Sequence, residues 1–245
     1  MISIKTDKEV AIMREGGKIL SQILKRLAEA TKPGVTTNSL DELANKLVKK
    51  NGVEASFFGY NNFPATLCVS INDEIVHGMP SDRVIQEEDL VSLDMGVKHK
   101  GFHTDSAITV IAGKNNPEKQ KLINVTKEAL RIGTSKAKVG NTTADVGRAI
   151  QEYVESNGFS VPRELIGHGI GKELHEAPEV PNYEPKIPVE LKPGMTIAIE
   201  PMVFASKDWH TKEKNDVFST KDGSLSAHFE HTVAITDAGP IVLTE

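Results

Sequence analysis

Two acidic residues interrupt apolar runs in the segment Ser92–Ala107, which reads SLDMGVKHKGFHTDSA. If His99 and Lys100 form a two-residue turn, Asp94 lies directly opposite Asp105 in a hairpin, with Cβ atoms ~5 Å apart on one face. Like charges at that separation are destabilising. Three explanations are open: a cation lies between the carboxylates, one carboxyl is protonated, or the predicted register is wrong.

Three further candidate ligands lie in the second half of the chain. His168 stands in the segment GHGIG, whose glycines permit close approach of a backbone or a ligand. Glu200 ends an apolar run before Pro201, and Glu230 interrupts another, where an unpaired charge is expensive. Four carboxylates and one imidazole suit two divalent ions that activate a water for hydrolysis of a carbonyl group. The predicted metal ligands are Asp94, Asp105, His168, Glu200 and Glu230.

Each of these residues has a simpler explanation when it is taken alone. A single aspartate on a strand usually faces solvent, a loop histidine usually donates to a carbonyl, and Glu230 could pair with a surface lysine. These explanations weaken together because three of the carboxylates interrupt or end apolar strands. Four other histidines are assigned no chemistry: His99 and His103 belong to the hairpin, and His210 and His228 are predicted to face solvent.

Four helices and several strands are predicted to position these residues. Apolar residues three or four apart predict a first helix over Lys8–Ala30. Capping residues and a proline mark the starts of the other helices, at Asn38 or Ser39, at Asn116-Pro117 and at Thr142. Besides the hairpin, strands are predicted at Val53–Phe58, Thr66–Ile71, Met195–Ile199 and Ala227–Thr236.

The turn and cap residues around the second helix recur around the fourth helix. Six residues repeat at one constant offset of 106: Lys32, Gly34, Thr36, Thr37, Asn51 and Gly52 return as Lys138, Gly140, Thr142, Thr143, Asn157 and Gly158. The same offset carries Asp94 to Glu200. The pattern predicts a degenerate internal duplication, with halves of about 1–113 and 114–245 whose acidic strands meet at a pseudo-twofold axis.

The composition excludes several classes of protein. A chain of 245 residues with 38% hydrophobic and 26% charged residues is neither disordered nor membrane-like in composition. Its net charge of −5 offers no general attraction for nucleic acid or anionic lipid, so neither is an expected partner. The single cysteine, Cys68, excludes an internal disulfide, and the charged N-terminal segment lacks a secretory apolar core. A cytoplasmic location is therefore expected.

Four short motifs occur in the order HGMP (77–80), GHGIG (167–171), HEAP (175–178) and EPM (200–202). Together with the order of the five predicted ligands, they make nearly the whole chain resemble the methionine aminopeptidases. The short segment between His168 and Glu200 matches the compact bacterial type 1 form. The resemblance implies an α/β (α+β) pita-bread fold in one catalytic domain, 1–245. Its two pseudo-twofold-related halves would share an antiparallel sheet with outer helices.

The resemblance also implies a role for each ligand. Asp94 would chelate one ion, Asp105 and Glu230 would bridge both ions, and His168 and Glu200 would complete the other ion's shell. A bridging hydroxide would attack the carbonyl after the initiator methionine of a nascent polypeptide with a small second residue. Glu200 would handle the proton. The expected ions are Co²⁺, Mn²⁺, Fe²⁺ or Zn²⁺.

The substrate contacts are likewise implied by the resemblance. His77 and His175 match family histidines that contact substrate, one at the leaving group and one at the developing oxyanion. Tyr60, Phe63 and Cys68 would line the methionine pocket. The chain would act as a monomer on nascent polypeptides, with the ribosome as an expected place of encounter.

Two departures from the family pattern put the pocket rim in question. Leu174 stands directly before HEAP, where the family commonly has an aromatic residue. The aromatic expected upstream of SLSA has no direct counterpart, since Trp209 lies too early and Val217/Phe218 only approximates its position.

Three other hypotheses compete with this one. The nearest is an Xaa-Pro aminopeptidase or prolidase of the same fold, but those enzymes usually carry an extra N-terminal domain. A binding module would leave the metal ligands unused. A metal-free carboxylate-pair hydrolase of glycosidase type would leave His168 and the acidic match in the repeat without a role.

Overall fold

The computed structural model describes residues 2–245, and these residues form four α-helices, one 3-10 turn and fourteen strands. The helices are α1 (Asp7–Ala30), α2 (Thr37–Lys50), α3 (Pro117–Lys136) and α4 (Thr143–Ser156), and the 3-10 turn spans Tyr60–Asn62. The strands of the first half are β1 (Glu54–Ala55), β2 (Cys68–Ile71), β3 (Glu74–Val76), β4 (Leu90–His99) and β5 (Phe102–Ile111). Those of the second half are β6 (Gly167–Gly169), β7 (Glu176–Val180), β8 (Thr196–Ile199), β9 (Met202–Phe204), β10 (Thr211–Lys214), β11 (Val217–Thr220), β12 (Ser226–His228), β13 (Glu230–Thr236) and β14 (Gly239–Val242).

Threonine side chains start the two equivalent helices α2 and α4. In α4 the predicted start at Thr142 is confirmed, and Thr142 and Asp145 form a capping box there. In α2 the predicted cap at Asn38 or Ser39 is wrong: Thr36 is the cap, and its hydroxyl accepts from the Ser39 N–H. Thr36 keeps an extended backbone (φ −87°, ψ 152°), whereas Asn38 and Ser39 already lie within the helix and cannot cap it.

One antiparallel sheet carries most of the strands. Its main order is β1-β4-β5-β13-β8-β6-β7, with β2 added to β4 and β14 added to β13. Smaller sheets join β10, β11 and β3, and β12 with β9. The predicted strand Val53–Phe58 is reduced to two residues, because Phe58 is 66% exposed and the chain turns at Gly59, whose φ is +82°.

The long hairpin of β4 and β5 has a different register from the predicted one. Its turn is Lys100-Gly101, with φ of +48° and +86°, as a two-residue turn with both central residues left-handed requires. Asp94 therefore pairs with Ala107, and Asp105 pairs with Gly96. The two carboxylates still share one face of the sheet, but as diagonal neighbours, about 7 Å apart rather than directly opposed.

Two separate cores lie beneath the two pairs of helices. One core packs α1 and α2 onto the first-half strands through residues such as Leu20, Leu40 and Leu93. The other packs α3 and α4 onto the second-half strands through residues such as Val125 and Ile150. Each such side chain contributes roughly 1.5–3 kcal/mol through its burial, so the helices hold the sheet that carries the acidic residues.

Backbone contacts repeat between the two halves at the offset that the sequence shows. The isolated bridge Thr36↔Val84 has its counterpart in Thr142↔Glu190, and the hydrogen bond from Thr37 N–H to the Arg83 carbonyl has its counterpart in Thr143 to Val189. Every residue of the second set lies 106 positions after its partner in the first (36 to 142, and 84 to 190). The motif repetition therefore extends to hydrogen-bonding geometry. Membrane crossing by any helix of residues 2–245 is excluded by helix length and hydropathy.

Candidate metal centre

Four neighbouring strands bring the predicted carboxylates together. Asp94 lies on β4 and Asp105 on β5, while Glu230 begins β13 and Glu200 directly follows β8. In the sheet these strands are adjacent in the order β4-β5-β13-β8, and Glu230 pairs with Ala107, two residues from Asp105. Residues as far as 136 positions apart in the chain (94 to 230) therefore lie at neighbouring positions at the centre of the sheet.

The carboxylates are buried without a cationic partner. Asp94, Asp105 and Glu230 are 9%, 3% and 2% exposed, and the side chain of Glu200 is 13% exposed. Among residues 2–245, no ion pair joins any of them to lysine or arginine, and only imidazoles approach Glu200. Oδ1 of Asp94 and Oε1 of Glu230 have no hydrogen-bond partner among the described residues. Buried anionic oxygens in this state are expected to bind a cation or hold a proton.

The electrostatics of the cluster follow from burial and crowding. Burial, followed by repulsion from Asp105 and Glu200, holds the pKa of Asp94 well above its usual range. The pKa of Asp105 rises to about 8 through burial and Glu200, and burial raises that of Glu200 to about 8. Burial and the other three carboxylates raise the pKa of Glu230 in the same direction. A divalent ion would reverse these shifts, because its charge favours the ionised carboxylates.

His168 supplies a neutral nitrogen beside the carboxylates. Its Nδ1 lies 2.8 Å from the Gly169 carbonyl oxygen and donates to it, which leaves a lone pair on Nε2. That Nε2 lies 3.7 Å from Oε1 of Glu200, and ligand atoms of Asp105, His168 and Glu230 all lie within 4.8 Å of one another. Burial, with a smaller contribution from His175, lowers the pKa of His168 to about 3, so the ring is neutral.

The glycines around His168 allow neighbouring backbone segments to pack closely against β6. A Cβ on Gly167 would lie 2.4 Å from the carbonyl oxygen of Ala198, and one on Gly169 would lie 2.3 Å from that of Ala177. These contacts are too close for any side chain. The strand β6 is therefore held against its neighbours, which fixes His168 in place.

His175 and His77 lie at the edge of the cluster. The His175 ring lies 4.2 Å from the His168 ring, and its Nδ1 is 2.7 Å from the hydroxyl oxygen of Tyr60. His77, at φ +62°, follows β3, and its Nδ1 lies 3.3 Å from the Asp216 carbonyl oxygen. Burial lowers the pKa of both histidines, and a nearby imidazole lowers each further: His228 acts on His77, and His77 acts on His175. Both rings are therefore neutral near pH 7.

The predicted pocket residues are only partly assembled around these groups. Tyr60 reaches His175, and Cys68 pairs with Asp94 across β2 and β4. Burial, then Asp94 and Asp105, raises the pKa of Cys68, so the residue is a neutral thiol rather than a nucleophile. Phe63 packs its ring against that of Phe57, with centroids 6.5 Å apart.

The structure shows where the side chains at the two departures from the family pattern lie. Leu174 is 2% exposed and packs in a core with Met13, Phe102 and Ile170, so it lies in the interior. Phe218 places its ring 5.8 Å from the His77 ring in an edge-to-face contact. An aromatic side chain from β11 therefore covers His77, although the sequence offered no direct counterpart for one.

Sequence reasoning missed one histidine at the cluster. His228 was predicted to face solvent, but it is 1% exposed, and its Nε2 lies 3.5 Å from Oε2 of Glu200. The prediction was wrong because His228 ends β12, which pairs with β9 inside the molecule rather than at its surface. Its position two residues before Glu230 was the only available signal.

A sheet that buries carboxylates beside a neutral imidazole is typical of metal-dependent hydrolases. The chain belongs to metallopeptidase family M24, whose profile matches residues 11–237. Within this family it is similar along its whole length to methionine aminopeptidases. That of Clostridium acetobutylicum is 49% identical over 247 residues, covering 100% of this chain and 99% of the relative. The crystal structure of methionine aminopeptidase from Thermotoga maritima matches with a TM-score of 0.96 at 42% identity, covering both chains completely.

The prolidase alternative has weaker support. Prolidase from Pyrococcus furiosus matches with a TM-score of 0.81 at 25% identity, covering 99% of this chain but 65% of the prolidase. The shared architecture confirms the predicted pita-bread fold, while identity and coverage favour the methionine aminopeptidases. The predicted family resemblance is thereby confirmed, and the chain is a hydrolase of a metallopeptidase family.

Proposed function

We propose that this chain removes the N-terminal methionine from polypeptides whose second residue is small. The observation that carries the proposal is the cluster of four buried carboxylates beside neutral His168, with no lysine or arginine partner among residues 2–245. The full-length similarity to methionine aminopeptidases supplies the substrate class.

The donor set fits two divalent ions. Asp94, Asp105, His168, Glu200 and Glu230 would hold them, and the unpartnered oxygens of Asp94 and Glu230 support this assignment. Oxygen-rich ligation with one imidazole suits Mn²⁺, Fe²⁺, Co²⁺ or Zn²⁺. When bound, such ions polarise a carbonyl and lower the pKa of a water molecule.

Side chains of the protein would carry out the remaining steps of the reaction. Glu200, whose pKa is raised by burial, is suited to take a proton from the attacking water and pass it on. With Tyr60 O–H donating to Nδ1 of His175, the neutral ring would carry its proton on Nε2 and would donate a hydrogen bond to the developing oxyanion. Neutral His77 would interact with the leaving group.

The methionine side chain would enter beside Tyr60, Phe63 and Cys68. A buried neutral thiol together with aromatic side chains would form a soft apolar surface that suits a thioether. Phe218, packed on His77, supports a narrow space for the second residue. The alternative activity, cleavage of Xaa-Pro peptides by the same fold, has the prolidase similarity in its favour.

The proposal extends to organisation and location. Residues 1–245 would form one catalytic domain with halves of about 1–113 and 114–245, supported by the contacts that repeat at the offset of 106. The enzyme would act as a monomer in the cytoplasm on nascent polypeptides at the ribosome.

The test is metal-dependent cleavage of short peptides. We expect exhaustive chelation to abolish cleavage of a Met-Gly-containing peptide, and Mn²⁺, Co²⁺, Fe²⁺ or Zn²⁺ to restore it to different extents. A matched peptide with a bulky second residue, Met-Leu, serves as the control and should be cleaved poorly. Cleavage that survives full chelation would refute the metal mechanism, and equal turnover of Met-Ala and Xaa-Pro peptides would favour the prolidase alternative.

A further inference from the structure

Glu200 is flanked by two imidazoles, one at each carboxylate oxygen. His168 Nε2 lies 3.7 Å from Oε1, and His228 Nε2 lies 3.5 Å from Oε2. The two rings are not equivalent. Because Nδ1 of His168 donates to the Gly169 carbonyl, its Nε2 has no proton to give to Glu200.

His228 is a buried polar side chain whose ring nitrogens lack hydrogen-bond partners. The residue is 1% exposed, and neither Nδ1 nor Nε2 has a hydrogen-bond partner within residues 2–245. A buried group left without its hydrogen bonds costs about 1–3 kcal/mol, so a partner is expected in the working enzyme. Glu200 Oε2 is the ionisable oxygen close enough to become that partner after a shift of about half an ångström.

The backbone of His228 is held rigidly where this contact can form. Its N–H donates to the Thr109 hydroxyl at 2.9 Å, and the same hydroxyl donates to its carbonyl oxygen at 2.8 Å. Ser92 lies a further 2.8 Å from the Thr109 hydroxyl, so the anchor extends into β4. The backbone of Glu200 is fixed as well, because Asn182 donates to its carbonyl oxygen at 3.0 Å. Two anchored backbones leave only the side chains to close the gap.

We propose that His228 is a positioning residue for Glu200: its Nε2–H donates to Oε2 and holds Oε1 toward His168. This inference rests on the proposed function, since it assigns to Glu200 the ligand and proton-handling roles given above. In that arrangement one imidazole serves as a ligand and the other orients the carboxylate between them. Hydrogen-bonded partners of this kind fix ligand geometry around metals, and their loss costs 10- to 100-fold in metal affinity or activity.

The test compares three substitutions that differ in reach. In His228→Gln the amide nitrogen can occupy the place of Nε2, in His228→Asn it reaches only the place of Nδ1, and His228→Leu removes both. Titration calorimetry of the metal-free protein with Mn²⁺ alone should show affinity retained in the Gln variant. The Asn and Leu variants should lose about 10- to 100-fold. For a Met-Ala peptide the same two variants should lose kcat while KM stays near the original value.

Thermal unfolding in the presence of chelator shows whether each variant is folded. If the Leu variant does not fold, the Gln and Asn pair still decides the matter, because both keep a polar amide at the site. Unchanged Mn²⁺ affinity in all three variants, or equal losses in the Gln and Asn variants, would overturn the proposal. Calorimetry is independent of peptide cleavage. A chain that binds Mn²⁺ in a His228-dependent way but cleaves no methionine peptide would refute the proposed function and leave this inference standing.

Discussion

Substituting Asp94 by asparagine should have opposite effects on stability with and without metal. In the metal-free protein the Asp94 carboxyl is 9% exposed, one of its oxygens has no partner among residues 2–245, and Asp105 and Glu200 lie nearby. Its pKa is therefore well above the value of about 4 that an unfolded chain gives. Above about pH 4 the unfolded chain is ionised here while the folded chain keeps the proton.

The size of the effect follows from that difference in bound protons. Because the folded state binds more protons, the stabilising contribution of this carboxyl is complete below about pH 4 and is lost as the pH rises toward its folded pKa. The loss amounts to about 1.4 kcal/mol of unfolding free energy per pH unit. Asparagine does not titrate, so the Asp94→Asn variant should gain stability relative to the original protein as the pH rises from 5 to 7, by at most about 3 kcal/mol at the limiting slope.

Metal reverses the sign of this difference. An ion present at 1,000 times its Kd stabilises the folded state by about 4.1 kcal/mol. The variant should lose most of that increment because it has lost a charged ligand, and this loss exceeds its gain of at most about 3 kcal/mol without metal. Urea unfolding followed by circular dichroism, at pH 5, 6 and 7, with chelator and with Mn²⁺, measures both effects. Asp237→Asn, which removes the same charge from the exposed turn before β14, is the matched control. A variant whose relative stability does not rise with pH in chelator would refute the assignment of Asp94 to a crowded anionic cluster.

Two further predictions concern the cluster and the ion pair beside it. Because the pKa of both Asp105 and Glu200 is raised to about 8, metal must displace protons near neutral pH. Mn²⁺ affinity should therefore increase from pH 6 to pH 8 with proton release, measured by calorimetry in buffers of different ionisation enthalpy, and a pH-independent affinity would contradict this. Lys5, 5% exposed and paired at 2.5 Å with Glu176, secures the segment after His175. Lys5→Met should lower the unfolding free energy by about 3 kcal/mol by leaving a buried charge unpaired. Adding Glu176→Gln should recover most of this loss, and strictly additive losses in urea unfolding would show that the pair is not coupled.

Local features of the fold were predictable because they depend on neighbouring residues. Helical periodicity placed α1 within one residue of its observed start, and the capping box of Thr142 and Asp145 marked the start of α4. Caps fail as markers where several candidates stand side by side. The run Thr36-Thr37-Asn38-Ser39 offers four capping side chains, and backbone contacts with the segment around Arg83 decide which of them leads the helix.

The hairpin shows how a local rule can still select the wrong register. His99-Lys100 and Lys100-Gly101 are both two-residue turns by length, but the second uses a glycine for a left-handed backbone. The shift of two residues in pairing preserved the face on which Asp94 and Asp105 lie, because side chains alternate with a period of two. The prediction that the two carboxylates crowd one face of the sheet therefore holds in the observed register as well.

The sequence by itself determined which residues are candidate ligands, their order along the chain and the repeat at an offset of 106, since these are properties of spacing and chemistry. The tertiary structure decided which groups surround them. Strand order placed Glu230 beside Asp105, and the pairing of β12 with β9 buried His228 next to Glu200. It also set Phe218 on His77 and Leu174 in the interior. Burial and contacts across the sheet arise from elements far apart in the chain, and no local pattern of residues encodes them.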